Sequence, residues 1–162
     1  MRIESERLLL YPVSDEELEK LIEAEENAEL KQAYTEMLRG CIREPENRIW
    51  HTVWYMERKR APGIVIGDLS FKGLEPDGMT ELGYGLRKGF CGHGYMAEAV
   101  RAISDWALRQ TGVSRVEAET GPDNGASQRV LARAGFLPTG TVGEEGPRFV
   151  YRRRDLESTE RR

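Results

Sequence analysis

Strand and helix patterns alternate from the start of the chain. The three leucines at 8–10 follow a charged segment and predict a first strand. Ser14 and Glu17 have capping-box spacing, in which each side chain bonds a backbone N–H group at the start of a helix. They therefore predict a short helix. Apolar spacing predicts a second helix at 30–38, with Gly40 as its C-cap.

The middle of the chain has the pattern of three strands. Runs rich in β-branched, aromatic and other apolar residues lie at 49–56, 64–71 and 79–86. Turn signals separate them, Pro-Gly at 62–63 and Pro-Asp-Gly at 76–78. Short strands divided by turns of this kind predict an antiparallel meander.

The second half of the chain changes character. Apolar residues recur at helical spacing within 94–110, which predicts a helix. Residues 113–120 then alternate between apolar and polar, the pattern of a strand with one buried side. Asp123 or Asn124 can cap a further helix, and Gly135 can end it.

A hairpin at 137–153 completes the pattern, and a polar tail follows at 155–162. The order is strand, two helices, three strands, helix, strand, helix and two strands. It predicts an α/β (α+β) fold in one domain, residues 1–154, with a mixed, mostly antiparallel sheet of about six to seven strands and about four helices.

Length, charge and composition limit the kinds of partner that the protein is expected to bind. The chain has 162 residues, enough for one domain with a sizeable core, and a formal net charge of −4. Nucleic-acid and membrane binding both need concentrated positive charge, so neither is expected. No apolar segment has the pattern of a signal peptide or a membrane span, so a cytoplasmic location is expected.

Cysteines and histidines are few. Cys41, Cys91, His51 and His93 show no paired metal-ligand spacing, so no metal site is predicted. Two cysteines fit a reducing compartment, although one disulfide between them stays open.

A glycine-spaced loop at 91–96, Cys-Gly-His-Gly-Tyr-Met, joins the strand at 79–86 to the next helix. The first turn of a helix leaves unpaired N–H groups at its positive end, and glycines let an anion approach the backbone closely. A pyrophosphate group suits such a loop, and Arg87 and Lys88 add positive charge at its mouth. The alternative is that the glycines only form the turn.

The same glycines also match a different fingerprint. Gly92, Gly94 and Ala97 fit the dinucleotide pattern G-x-G-x-x-G/A. Glu117 and Glu119 lie about twenty residues on, where a ribose-binding acid is expected. However, a loop separates the glycines from the preceding strand, and the strands before it form an antiparallel meander. A dinucleotide-binding enzyme is therefore an alternative only.

Two blocks together resemble the GNAT superfamily of N-acetyltransferases. The segment 89–94 is similar to the family's Gln/Arg-x-x-Gly-x-Gly/Ala junction, and 124–136 is similar to its Asn-x-x-Ser…Gly-Phe helix. The segments 7–10 and 81–84 resemble the branch that acetylates the N-termini of ribosomal proteins. The resemblance covers nearly the whole chain.

The resemblance implies a sheet that splays in the middle, with the pantetheine arm of acetyl-CoA in the gap. The implied cofactor residues lie on one strand end, in the glycine loop and at one helix start. They are Tyr84, Gly85, Leu86, Arg87, Lys88, Cys91, Gly92, His93, Gly94, Tyr95, Met96 and Asn124.

The chain departs from the family at two positions. Gly89 stands where the family has Gln or Arg, so one side-chain contact to phosphate is missing. Leu131 stands where many relatives have a tyrosine that protonates the leaving thiolate, which excludes that mechanism here. The resemblance makes Ser127 the candidate acid, unless it only bonds its own helix backbone. Glu81 and Glu145 are candidate bases, and each is alternatively a solvated carboxylate.

The resemblance therefore implies an acetyl-CoA-dependent N-acetyltransferase that moves the acetyl group directly to a primary amine in a ternary complex. The alternative from another class is a non-catalytic acyl-CoA-binding module, because the tyrosine acid is absent and the base is not identified. The acceptor, a protein N-terminus or a small-molecule amine, is open, and so is the choice between a monomer and a homodimer.

Overall fold

Strands and helices follow one another much as the hydrophobic pattern predicts, in a computed structural model that describes residues 1–153. The strands are β1 (Ile3–Glu4), β2 (Leu8–Pro12), β3 (Val53–Arg58), β4 (Ala61–Phe71), β5 (Met79–Leu86), β6 (Arg115–Glu119), β7 (Leu137–Val142) and β8 (Pro147–Tyr151). The helices are α1 (Asp15–Ala24), α2 (Ala28–Arg43), α3 (Tyr95–Leu108) and α4 (Gly125–Ala134), with a 3-10 helix at Pro45–Trp50.

The described strands form one eight-stranded sheet in the order β1-β2-β3-β4-β5-β6-β8-β7. Neighbouring strands are antiparallel except β5 and β6, which run parallel. These two strands pair only between Met79–Glu81 and Arg115–Glu117, whereas the rest of β5, from Leu82 to Leu86, pairs with β4 on its other side. The sheet is therefore split between the second half of β5 and the end of β6, and we call this split the β5–β6 gap.

Each face of the sheet is covered by its own helices. One face packs on α3 and α4, and its core includes Trp54, Leu69, Ile103 and Leu131, all fully buried. The opposite face packs on α1 and α2 through a smaller cluster that includes Leu18. Burying one such large apolar side chain contributes about 1.5–3 kcal/mol, so the α3 side holds most of the apolar stabilisation.

The predicted helix ends are confirmed at several positions. The Glu17 N–H group donates to Ser14 Oγ at 3.3 Å, and the Ser127 N–H group donates to Asn124 Oδ1 at 3.1 Å. Gly135 ends α4 with a left-handed φ of 102°. Of the two predicted caps for α4, the structure therefore uses Asn124.

Two predicted boundaries in the first half are wrong. Gly40 does not end α2: it is buried inside the helix against His51, and the helix continues to Arg43. The strand predicted from residue 49 begins only at Val53, because the 3-10 helix occupies the preceding residues and buries Trp50. In both places tertiary packing outweighs the local pattern.

The turn predicted at Pro62 and Gly63 is also wrong, because both residues lie inside β4. Glu57 pairs with Val65 and Arg58 with Ala61, so residues 62–64 form a bulge opposite β3. A bulge tolerates proline because the extra residues need no ladder hydrogen bonds.

The strand count exceeds the expected six to seven because β1 adds a two-residue strand at the edge. A strand that short carries no periodicity that a sequence pattern could reveal. The predicted boundary after residue 154 and the tail at 155–162 lie outside the described residues.

Candidate functional site

The glycine loop between β5 and α3 is shaped by left-handed residues. Gly92 has a φ of 84°, and Gly94, the N-cap of α3, has a φ of 77°. L-residues rarely adopt this region, which explains glycine at both positions. The loop therefore turns tightly into α3, whose first N–H groups have no acceptor within the helix, the arrangement that binds anions.

Arg7 anchors the loop from the far side. Its Nη1 donates to the His93 carbonyl oxygen at 2.9 Å, and its Nε donates to Glu98 on α3 at 2.7 Å. Its guanidinium also lies 4.5 Å from the ring centre of Tyr95. Sequence reasoning did not assign this role to Arg7, because the partners are more than 80 residues apart and no local pattern links them.

A cleft of about 380 Å³ opens beside this loop on the α3 and α4 side of the sheet, and we call it the helix-side cleft. Most of the predicted cofactor residues line it. They are Tyr84, Gly85, Leu86, Cys91, Gly92, Gly94, Met96 and Asn124, together with the candidate acid Ser127. The cleft runs from the loop to the β5–β6 gap.

Four predicted cofactor residues do not line this cleft. Arg87 and Lys88 are exposed next to it. His93 and the buried Tyr95 instead line a separate cavity with Arg7 and the tip of the β3–β4 hairpin. Their side chains thus lie around the loop and outside the cleft itself.

Two arginines that the sequence analysis missed do line the helix-side cleft. Arg129 and Arg133 are four residues apart on α4, so they share one side of the helix. Their spacing next to the cap at Asn124 was a usable signal. They bring positive charge to the cleft, whereas Gly89, with no side chain, brings none.

Backbone groups of β5 point into the gap. The Arg87 N–H group donates to Ile66 and the Glu81 carbonyl accepts from Lys72, so the odd-numbered residues bond towards β4. Because these groups alternate along a strand, the even-numbered Tyr84 and Leu86 direct their N–H and C=O groups to the other side. That side is the β5–β6 gap.

A second cavity of about 220 Å³ shares one wall with the cleft, and we call it the carboxylate cavity. Both spaces are lined by Tyr84, Asn124 and Ser127. The rest of its wall includes residues of β5, β6 and the β7–β8 turn, namely Glu81, Gly83, Glu119, Thr120 and Glu145, with Lys72 beyond β4. The two spaces therefore meet at the gap in the sheet.

Arg148 ties three carboxylates together beside the carboxylate cavity. Its guanidinium contacts Glu81 at 2.8 Å, Glu117 at 3.1 Å and Glu119. The side chains in this cluster are each exposed by less than a fifth. Since these carboxylates come from β5 and β6, the cluster fixes the two strands where they begin to separate.

Glu81 is held by two cations. Lys72 Nζ lies 2.6 Å from one oxygen, and Arg148 lies 2.8 Å from the other. Burial alone would raise the pKa of Glu81, but the hydrogen bonds from Lys72 and Arg148 outweigh burial and lower that pKa below its ordinary value. A carboxylate held in this way is a weak base for a proton taken directly from an amine.

Glu145 lies at the rim, and its side chain is exposed. Its backbone N–H group donates to Glu119 Oε2 at 3.1 Å. Glu119 is a carboxylate of the cavity wall that the sequence analysis did not assign to the acetyl-transfer site. The structure thus brings Glu81, Glu119 and Glu145 to one cavity.

Ser127 faces the junction of the two spaces. Its Oγ lies 2.7 Å from the hydroxyl oxygen of Tyr84. The Ser127 side chain therefore does not bond only its own helix backbone, which was the alternative to a functional role. The residue lies in the first turn of α4, which Asn124 caps.

The remaining expectations concern metals, cysteines and membranes. Within residues 1–153 there is no group of His, Cys, Asp and Glu side chains that could hold a metal ion. Cys41 is buried, Cys91 is exposed, and both are free thiols. None of the described helices is both long and apolar enough to cross a membrane.

Known proteins match this architecture. Residues 7–137 match the family model of the acetyltransferase (GNAT) domain. The uncharacterized N-acetyltransferase YjdG of Bacillus subtilis is 37% identical over 75 residues, which span 45% of this chain and 44% of YjdG. The matches to the first three curated relatives span less than half of the length of those proteins.

Solved structures share the fold along nearly the whole chain. The ribosomal-protein-S5-alanine acetyltransferase of Vibrio fischeri superposes with a TM-score of 0.73 at 17% identity, covering 96% of this chain and 98% of its own. The ribosomal L7/L12 α-N-protein acetyltransferase RimL, solved with coenzyme A, gives 0.69 at 20% identity, covering 94% and 97%. With the family model matched over most of its length, the chain belongs to the GNAT acetyltransferase family.

Proposed function

We propose that the protein transfers the acetyl group of acetyl-CoA directly to a primary amine. The observation that supports this most strongly is the meeting of two spaces at the β5–β6 gap. The helix-side cleft and the carboxylate cavity share Tyr84, Asn124 and Ser127. An acyl donor in one space and an amine in the other would therefore meet without a covalent enzyme intermediate, as a ternary complex requires.

The residues of the helix-side cleft suit coenzyme A. The loop N–H groups at Gly92 and Gly94 would hold the pyrophosphate. The pantetheine arm would lie along β5, bonding the backbone of Tyr84 and Leu86, with Asn124 opposite. Arg129 and Arg133 would supply the positive charge for the phosphates that Gly89, with no side chain, cannot supply.

The chemistry needs a polarised carbonyl, a neutral amine and a proton for the leaving sulfur. A β5 N–H group facing the gap would stabilise the negative charge that develops on the thioester oxygen. Ser127 would protonate the thiolate. A carboxylate of the cavity, Glu145 directly or Glu81 through water, would take the amine proton.

The acceptor is a primary amine, either a small molecule or a protein N-terminus. The carboxylates of the cavity favour the approach of a cationic amine. Two structural neighbours are described as acetyltransferases of ribosomal proteins S5 and L7/L12, which supports a protein N-terminus as one acceptor class. The cytoplasmic location stays a prediction, and the choice between a monomer and a homodimer stays open.

Calorimetric titration with acetyl-CoA and with NAD tests the cofactor. We expect acetyl-CoA to bind and NAD to give no heat of binding. Binding of NAD without acetyl-CoA would reject the proposal in favour of the dinucleotide alternative.

Thiol release against a panel of amines and N-terminal peptides tests the transfer itself. We expect release of free CoA that depends on at least one acceptor. A protein that binds acetyl-CoA but releases no thiol with any acceptor would instead be the non-catalytic acyl-CoA-binding module.

A further inference from the structure

Tyr84 enters the functional site through its side chain as well as its backbone. Its hydroxyl oxygen lies 2.7 Å from Ser127 Oγ, and the same hydroxyl can donate to the Ser127 carbonyl oxygen at 3.3 Å. Both residues line the helix-side cleft and the carboxylate cavity. We propose that Tyr84 is the proton source for Ser127, so that the two hydroxyls protonate the departing thiolate as a pair. This inference rests on the proposed function.

Rigid elements hold the pair in place. Tyr84 is in the second half of β5, where it pairs with the fully buried Leu69 of β4. Ser127 is in the first turn of α4, and its N–H group is fixed by Asn124. A hydrogen bond between a strand and a capped helix needs little reorganisation when the substrate binds, as an efficient proton donor requires.

Acidity explains why Ser127 needs a partner. An aliphatic hydroxyl is a far weaker acid than a phenol, so Ser127 gives up its proton more readily when a phenol replaces that proton in the same step. Leu131, the next inward-facing residue one turn along α4, is fully buried and carries no proton to donate.

Tyr84 keeps its proton at neutral pH. Burial raises the pKa of its hydroxyl, and the hydrogen bond with Ser127 opposes that rise only in part. The phenol is therefore available as a donor when the thioester reacts.

Bonds and protons are conserved in the proposed step. The amine nitrogen attacks the carbonyl carbon, the C–S bond breaks, and its electron pair stays on sulfur. Ser127 gives its hydroxyl proton to that sulfur and takes the proton of Tyr84. The amine releases one proton to a carboxylate or to water, and Tyr84 regains one from solvent, so the products are the acetylated amine and CoA thiol.

Three variants test the pair: Tyr84→Phe, Ser127→Ala and the double variant. We expect each single variant to lower kcat by about 100-fold, the size of a lost general acid, with the Kd for acetyl-CoA unchanged within about threefold. The double variant should be no slower than the slower single variant, because both changes interrupt one path. Tyr11→Phe is the matched control, since it removes a tyrosine hydrogen bond to Glu57, neither residue lines the cleft or the carboxylate cavity, and it should keep full kcat.

Three outcomes overturn the inference. If Tyr84→Phe keeps kcat, or if its loss multiplies with that of Ser127→Ala, the hydroxyls do not act as a pair. If Tyr84→Phe loses thermal stability and acetyl-CoA affinity in step with kcat, the tyrosine is only structural. Amine-dependent thiol release by the unaltered protein is measured first: an inert unaltered protein rejects the proposed function as well, whereas an active one with an active Tyr84→Phe variant rejects the pair alone.

Discussion

The two spaces that meet at the β5–β6 gap are built from different materials. The helix-side cleft is made largely of backbone, glycine and apolar side chains, with two arginines on α4 at its edge. The carboxylate cavity is made of side-chain charges from β5, β6 and the β7–β8 turn, and Arg148 and Lys72 hold the carboxylates of the two strands. One space presents fixed hydrogen-bond donors and the other a charged network.

Under the proposed function, the helix-side cleft would bind a cofactor that is the same in every reaction, and the carboxylate cavity would bind an amine that differs. The pyrophosphate and the pantetheine arm are the same in every acetyl-CoA molecule. A site made of backbone groups can therefore bind them in any chain that keeps the glycine turn and the β5–β6 gap. The amine differs between substrates, and side chains on β5, β6 and the β7–β8 turn can change without altering the fold. Specificity is therefore expected in the carboxylate cavity.

Replacing Arg148 is expected to have the largest effect, and it tests the charged network beside the carboxylate cavity. Arg148→Met leaves three partly buried carboxylates without their shared cation, although Lys72 and Arg115 still pair with two of them. The loss should therefore approach about 3 kcal/mol, the lower end of the range for breaking a fully buried pair. Urea unfolding measures this loss. Arg2→Met, which breaks an exposed pair with Glu4, should change the free energy of unfolding by less than about 1 kcal/mol. Equal losses in the two variants would contradict the role of the cluster.

Gly92→Val tests the glycine loop of the helix-side cleft, which is built largely from backbone groups. The left-handed φ and the added side chain should disrupt the loop and weaken acetyl-CoA binding by at least about 100-fold, which corresponds to about 2.8 kcal/mol. Calorimetry measures the affinity. Gly140 on β7 also has a left-handed φ of 83° and open space around it, so Gly140→Val is a matched control that should keep the affinity. A Gly92→Val variant that still binds tightly would reject the loop as the anion site.

The sequence predicted the backbone side of the comparison well. Glycine spacing, helix caps and the strand before the loop are local signals, because each depends on a residue and its near neighbours. Most of the predicted cofactor residues consequently line one cleft. Whether they bind the cofactor stays a prediction that the Gly92 variant tests.

The charged side could not be predicted in the same way. Arg148 lies 67 residues from Glu81. The Arg7–Glu98 pair beside the glycine loop, 91 residues apart, is missed by local patterns for the same reason. Such contacts depend on strand order and on the face to which each side chain points. Glu81 and Glu145 were candidates by resemblance, whereas no pattern along the chain indicated that Arg148 would hold Glu81.

A smaller effect is expected from the arginines on α4, which add side-chain charge to the backbone site. Replacing both Arg129 and Arg133 by methionine should weaken acetyl-CoA binding by about 10-fold and reduce its dependence on salt, because exposed charges attract phosphates through a screened field. Titrations at two salt concentrations measure both changes. Arg101→Met, on the exposed side of α3, is the control. An affinity and salt dependence equal to those of the unaltered protein would exclude a phosphate contact.

The smallest effect concerns pH. The folded-state pKa of Glu81 lies below its ordinary value, so the ion pair stabilises the fold above that ordinary value and loses its contribution as the pH falls through the folded pKa. Glu81→Gln should therefore lower stability at pH 7 and flatten its decline in acid. Urea midpoints between pH 7 and acid measure the difference, with the exposed Glu29→Gln as control. A Glu81→Gln variant with the same acid decline as the unaltered protein would contradict this assignment.

Mass measurement of both protein and acceptor tests direct acetyl transfer across the gap. The protein is mixed with acetyl-CoA alone and then with an amine acceptor selected from the thiol-release panel. We predict that the protein mass stays unchanged throughout and that the acceptor gains the mass of one acetyl group. A stable acetylated protein formed without acceptor, or an acceptor that never gains the group while acetyl-CoA is bound, would contradict a direct transfer between the two spaces.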